Sequence, residues 1–280
     1  MYKVDIGINE RENQRMIFLS AFTQSVIIDS YKHKRRAGQF LEEYKWLLKS
    51  INGIYPDAMA VLFNFEGIIN VTELKKIHNK LIVFNWNKSF KPELGIDLNY
   101  LKVLKETLDM FNDDIVMLDP DCLVVKEFDN LLKDDVDITA VTRGWINWNG
   151  FRQDIIFAPA IYHKNRKEVI HNYINYLFKE SYKLGYKTND WWANVQPAVT
   201  KIYLDAGIDL AVDFNGFPSH YGSIKLQGIE TKLKAIPQYI LSYPIQDEKY
   251  YPETCIIHYK NYKDRSTPEK VFKQWGERKN

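Results

Sequence analysis

Asp119, Pro120 and Asp121 stand directly after the apolar run Asp114–Leu118. Side chains at i and i+2 of an extended chain point to the same face, so two carboxylates can be aimed at one point. Pro120 fixes its own φ and biases Asp119 toward an extended conformation. Carboxylates placed this way repel each other unless a cation lies beside them. Hard oxygen ligands of this kind suit Mg²⁺ or Mn²⁺, ions that fill their remaining positions with water and substrate phosphates. Asp and Pro are also turn formers, and an isolated Asp-Pro-Asp reads equally well as a plain turn after a buried strand. The surroundings favour the chemical reading. A second apolar segment, Cys122–Val125, follows at once and sets the carboxylates between two buried pieces rather than in an open loop.

The elements that must position this motif are legible as periodicities. Short apolar runs alternate with helix-period stretches, the pattern of βαβ units and a mainly parallel sheet. Strands are expected at Met16–Phe22, Ala58–Phe65, Lys80–Phe84, Asp114–Leu118, Val136–Thr142, Asp154–Tyr162, Ile208–Asp213 and Cys255–Tyr259. Pro159 implies an edge or a bulge in its strand. Phe40, Leu41, Tyr44, Leu47, Leu48 and Ile51 recur at helical spacing, with Gly53 as the expected stop. Thr72–Asn79 is a short helix. Asp97 is the expected N-cap of a helix with the stripe Leu101, Leu104, Leu108 and Phe111. Helices follow at Lys167–Leu184 and Asp190–Ala206, the latter closed by Gly207. Pro197 makes that last helix either start near Gln196 or kink. Residues 215–254 show weak periodicity and many turn formers, and the charged tail after Ser266 is either helical or mobile.

The stretch Asn99–Val125, NYLKVLKETLDMFNDDIVMLDPDCLVV, resembles the helix, strand, DxD and second apolar strand of the GT-A fold glycosyltransferases. Phe128–Leu132 is similar to the segment that follows their motif. CIIHYKNYK (Cys255–Lys263) is nearest in look to the C-terminal strand of the glycogenin-like branch. It lacks that branch's Gly and Pro-Trp, and Asp154–Tyr162 carries Ala-Pro-Ala where many members place Asn-Ala-Gly.

The resemblance implies a single α/β GT-A (Rossmann-like) domain over residues 1–280. Its mainly parallel sheet would be flanked by helices, with a smaller C-terminal antiparallel part. Residues 1–125 would form the nucleotide-sugar half, 126–265 the acceptor-side half, and 266–280 the tail. It also implies a nucleotide-sugar donor, with a UDP-sugar favoured. Asp119 and Asp121 would hold Mn²⁺ or Mg²⁺ on the donor diphosphate, with His258 as third ligand. Phe22, Thr23, Gln24 and Lys102 would seat the nucleotide. A carboxylate from the region of Asp190 would face the reacting carbon and either take the acceptor's proton or stabilise positive charge there, with Asp154 as second choice.

Other residues have a chemical and a bland reading. Lys260, Lys263 and Arg265 could clamp the departing diphosphate or form a solvated face. Lys34, Arg35 and Arg36 read better as an exposed helix start than as a phosphate contact. Trp145, Trp148, Trp191 and Trp192 could stack on a sugar or a base, although two adjacent tryptophans in a helix cannot both face one way. The five other histidines have no ligand-like spacing.

Composition narrows the partners. The 280 residues carry 38 Lys+Arg and 36 Asp+Glu, a net charge of +2, which gives no support to a nucleic-acid coat. No apolar run approaches the roughly 18–20 residues of a membrane span, and the N-terminus lacks the apolar core of a signal peptide. Two cysteines without a CxxC pair fit a reducing cytoplasm. The acceptor stays open among a glycan, a protein, a lipid-linked sugar and a modified nucleic-acid base. Two rivals also stay open. One is an aspartyl phosphatase of the haloacid-dehalogenase type, whose site also opens with a strand and a DxD. The other is a noncatalytic binder of sugars or nucleotide-sugars.

Overall fold

The computed structural model describes residues 16–22, 39–65, 69–86, 95–143, 147–148, 151–152, 154–183, 195–208, 219–241, 243–244 and 252–259, together with 269 and 273. The first half alternates strand and helix: β1 (Met16–Phe22), α1 (Gln39–Ile54), β2 (Met59–Asn64), α2 (Val71–Ile77), β3 (Leu81–Asn85), α3 (Gly95–Met110) and β4 (Asp114–Met117). The second half holds β5 (Cys122–Val124), β6 (Ile138–Thr142), β7 (Asn147–Trp148), β8 (Phe151–Arg152), β9 (Ile155–Tyr162), α4 (Lys167–Lys183) and α5 (Gln196–Asp205). It then continues through β10 (His220–Leu226), β11 (Ile229–Pro237), α6 (Gln238–Leu241), β12 (Tyr243–Pro244) and β13 (Ile256–His258).

Eight strands form one sheet in the order β10-β11-β6-β9-β4-β1-β2-β3. β4, β1, β2 and β3 are mutually parallel, as are β6 and β11. β9 runs antiparallel to both β4 and β6, and β10 antiparallel to β11. Every residue of β1 is buried, as expected of a strand covered on both faces. Ile17, Leu19 and Ala21 face a core shared with Leu101, Leu104 and Leu108 of α3. Met16, Phe18 and Phe22 face a second core with Tyr44, Leu47 and Leu48 of α1. Each such fully buried aliphatic side chain contributes about 1.5–3 kcal/mol relative to exposure. Small sheets complete the fold: β12-β13-β5, and the pair β7-β8.

Several expectations are resolved here. Pro159 lies at a bulge within an interior strand, because the β6–β9 register jumps between Ala140↔Ala160 and Val141↔Ile156. Pro197 is the second residue of α5, which starts at Gln196 rather than kinking. Two end signals were misplaced. α1 runs through Gly53 to Ile54, and open space surrounds Gly53. α3 begins at Gly95, so Asp97 lies in its first turn and is not the cap. The segment after β5 is a 3₁₀ turn, Asp129–Lys133. Of the strand expected at Ile208–Asp213, all but Ile208 lies outside the described residues, as do the first residues of the helix expected from Asp190 and most of the tail.

The stretch with weak periodicity contains a hairpin. Leu226 pairs with Ile229, and Gln227 (φ 51°) and Gly228 (φ 87°) close the loop. Two consecutive left-handed residues match the twist of the flanking strands, as in a type I′ connection. Gly222 in β10 has a steric role. A Cβ there would lie 2.5 Å from the Ala206 carbonyl oxygen and 2.7 Å from Ile208 Cγ1, so only glycine lets the strand pass the end of α5.

Candidate functional site

The strand order reverses at β1: β2 and β3 lie on one side of it and β4 on the other. In open α/β sheets ligands bind beyond the carboxyl ends of the strands at such a switch point. The Asp119–Asp121 motif leaves the sheet there. The Leu118 amide donates to the Leu19 carbonyl (2.8 Å), and one turn later the Cys122 amide donates to the Asp119 carbonyl (3.2 Å). The motif is therefore both a turn and a carboxylate platform, since the turn itself carries the chain from β4 into β5.

β5 is held from two sides. The Val124 amide donates to Ser50 Oγ of α1 at 2.9 Å, and that hydroxyl donates to the Leu47 carbonyl at 2.7 Å. On its other edge β5 pairs antiparallel with β13, so that His258 stands opposite Cys122. The Tyr259 amide then donates to the Asp121 carbonyl at 3.1 Å. This pairing brings the imidazole to the carboxylates: His258 Nε2 is 3.1 Å from Asp121 Oδ1 and 3.6 Å from Asp119 Oδ2. The side chains of Asp119, Asp121 and His258 are 17%, 3% and 11% exposed. The site is thus largely withdrawn from water but open at Asp119.

One ligand atom from each of the three residues lies within 4.8 Å of the others. Neighbouring ligands on an octahedral ion with bonds of about 2.1 Å lie roughly 3 Å apart, so the three groups would need to close up from separations of at most 4.8 Å to share one ion. Two carboxylates and an imidazole suit Mn²⁺, and suit Mg²⁺ less well because of the nitrogen. The residues present fit such a group.

The other expected site residues are scattered more widely. Phe22 ends β1, its ring packed in the α1-side core against Phe40 (6.3 Å) and Tyr44 (5.7 Å). Lys102 is half-buried on α3. Asp154 is fully buried at the start of β9, and its carbonyl accepts the Arg143 amide at 2.9 Å. Thr23, Gln24, Asp190, Trp191, Trp192, Lys260 and Lys263 lie outside the described residues.

Two residues at the carboxyl rim were not foreseen. Arg143 lies one residue beyond β6, and its Nη2 donates to Gln196 Oε1 at 2.9 Å. Burial pulls its pKa down while the charge of Asp154 opposes the shift. Its place just past a strand end was the available signal. Tyr100 of α3 is buried beside the motif, with its hydroxyl on the Ala21 backbone. Nothing in local spacing announces that long-range contact.

No protein-family model matches the sequence, and no curated protein matches it. Similarity appears among solved structures. The chain is similar to an active-site mutant of LgtC (TM-score 0.53, 11% identity, 93% of this chain and 95% of that one). It is also similar to apo-form GlyE of Streptococcus pneumoniae TIGR4 (0.54, 12%, 94% and 60%) and to the bifunctional glycosyltransferase WbbM (0.50, 11%, 91% and 47%). It spans about half of the WbbM chain and 60% of GlyE. At these identities the likeness is one of fold, and the fold is that of the GT-A glycosyltransferases. It does not select the glycogenin-like branch.

Proposed function

We propose that this chain is a metal-dependent glycosyltransferase that moves a sugar from a nucleotide-sugar donor, a UDP-sugar first among candidates, to an acceptor hydroxyl. The observation that carries the reading is the convergence of Asp119, Asp121 and His258 on one point at the switch point of a GT-A fold. These residues would hold Mn²⁺ or Mg²⁺, which when bound offsets negative charge on a diphosphate leaving group.

The protein's own groups account for the rest. Phe22 at the end of β1, with Thr23 and Gln24 that follow it in sequence and Lys102, would seat the nucleotide. Lys260 and Lys263 follow β13 closely in sequence and would meet the departing diphosphate. The acceptor oxygen forms a bond to the anomeric carbon as the bond from that carbon to phosphate oxygen breaks. The acceptor's proton passes to a carboxylate, for which Asp190 is the first candidate and Asp154 the second. Because Asp154 is fully buried, it would have to act at a substrate that reaches beneath the rim. The aspartyl-phosphatase rival gives no role to His258, whose Nε2 lies near both carboxylates. No helix among the described residues is long and apolar enough to cross a membrane.

The test is metal-dependent release of nucleotide from a panel of UDP- and GDP-sugars, run beside a phosphomonoester. Slow release that requires Mn²⁺ supports the transferase. Phosphomonoester cleavage would establish the phosphatase, and binding without either reaction the noncatalytic binder. Asp190→Asn should reduce transfer far more than donor affinity measured by calorimetry. Equal losses would move the base elsewhere.

A further inference from the structure

We propose that Tyr100 is a positioning residue that locks the carboxylate turn to the end of β1, so that metal affinity at Asp119, Asp121 and His258 depends on its hydroxyl. The proposal rests on the metal reading of that cluster.

β1 and β4 run parallel and paired as far as Leu19↔Met117, and the last bond between them is Leu118 N–H to the Leu19 carbonyl. Backbone groups on one edge of a strand recur every second residue. The next to face β4 are therefore those of Ala21. Their ladder partners are missing, because β4 has turned off into Asp119 and Pro120, and Pro120 has no N–H to give. A buried backbone N–H and C=O left without partners would be costly.

Tyr100 fills that gap. Its hydroxyl accepts the Ala21 N–H at 2.7 Å and donates to the Ala21 carbonyl at 2.6 Å. The Leu118 carbonyl lies 3.4 Å away and Ser20 Oγ 3.5 Å away. One phenol thus stands in for a strand at the point where two strands splay. The ring is buried, with Phe65 at 6.3 Å and Phe157 at 6.4 Å, both edge-on, so α3 delivers the hydroxyl in a fixed direction. Burial, and next the charge of Asp119, pushes its pKa well above the ordinary tyrosine value, so the proton needed for donation stays in place. Without the hydroxyl, the Leu118 carbonyl loses its 3.4 Å neighbour and the end of β1 loses the group that fixes it beside the turn, so Asp119 is held less firmly by β1, although the Cys122 and Tyr259 amides still brace the turn from the β5 side. Misplacing a carboxylate lowers metal affinity, and loss of a group that orients metal ligands typically costs about 10–100-fold.

The experiment is Mn²⁺ binding by electron paramagnetic resonance, with Mn²⁺ alone and no sugar. It compares wild type, Tyr100→Phe and Thr107→Val. Thr107 is buried on the same helix and its hydroxyl bonds only within that helix, to the Val103 carbonyl, so it controls for general loss of stability. Tyr100→Phe should raise the dissociation constant for Mn²⁺ by about tenfold or more, and Thr107→Val should leave it unchanged. Equal affinity in wild type and Tyr100→Phe, or equal weakening in both variants, overturns the proposal and leaves the metal site standing. No Mn²⁺ binding by wild type overturns the metal site and the proposal together. A second measurement needs no variant: hydrogen exchange of the Ala21 amide in wild type. By reciprocity it should slow several-fold when Mn²⁺ is added, while the mid-strand Ile17 amide does not respond. An unresponsive Ala21 amide counts against the proposal even if Tyr100→Phe fails to fold.

Discussion

The hydroxyl of Ser50, on the first helix, accepts the backbone N–H of Val124 at 2.9 Å, across 74 residues of chain. It occupies the edge of β5 that no strand covers among the described residues, and through β5 it supports the pairing that carries His258 to Asp121. Ser50→Ala would leave a buried strand amide without a partner. The expected loss is about 1–3 kcal/mol, read as a lower urea midpoint at unchanged slope.

Asp121→Asn should abolish metal-dependent nucleotide release. The more direct readout is thermal. A ligand that binds only the folded state stabilises it, by about 2.7 kcal/mol at a concentration 100 times its dissociation constant. Wild type should therefore melt at a higher temperature when Mn²⁺ is added, and Asp121→Asn should not. An equal shift in both proteins would place the ion elsewhere.

His258→Ala removes one of the three residues proposed to hold the ion. The Mn²⁺ concentration that gives half of maximal nucleotide release should rise by roughly tenfold or more, with the maximal rate less affected. An unchanged metal requirement would make His258 a structural partner of the carboxylates and nothing more.

The sequence made the chemistry visible where it is local. Asp119 and Asp121 follow an unbroken apolar strand, and their i, i+2 spacing is a short-range signal. β1, β2 and β4 were readable for the same reason, since strands buried on both faces appear as continuous apolar runs, and the edge strand β3 is an apolar run in sequence although only part-buried. Where burial is one-sided the signal fades. β10 alternates between half-buried and exposed positions along its first six residues, and its turn, Gln227–Gly228, is not one of the strong Asn-Gly or Asp-Gly hairpin pairs. The hairpin was therefore missed. Tyr100 was missed for a different reason. Its importance lies in a backbone gap 79 residues away, created by the departure of a third segment, and no window along the chain contains all three.

His78 gives the fold a pH dependence of its own. It is buried, with Nε2 2.9 Å from the Ala58 carbonyl and Nδ1 3.2 Å from Asn52 Oδ1. Burial lowers its pKa, although the Ala58 carbonyl opposes the shift. The unfolded chain, with an ordinary histidine pKa of about 6.5, takes up the proton more readily than the folded one. The contribution is therefore fully present above about pH 6.5 and is lost as pH falls through the lowered value. His163 is shifted the same way by burial. Denaturation midpoints should fall between about pH 7 and 5, and His78→Gln should flatten part of that slope. Identical slopes would assign the effect to other groups.

Gly222→Ala should destabilise without touching the site. Its methyl would overlap the Ala206 carbonyl, and the costs of such overpacking are typically about 1–3 kcal/mol. The melting temperature should fall while Mn²⁺ affinity stays at the wild-type value.

The pairing of β5 with β13 also has a consequence in time. Both carboxylates are in the chain once residue 121 has been added, yet the imidazole is added only at residue 258. Across that separation of 137 positions the nascent chain carries two of the three groups of the proposed metal site, with β5 lacking its neighbour on one edge. If the three residues hold an ion as proposed, firm capture of it would mark a chain translated past β13. A prematurely terminated product that still assembled much of the large sheet would be distinguishable from the finished one by its failure to retain manganese.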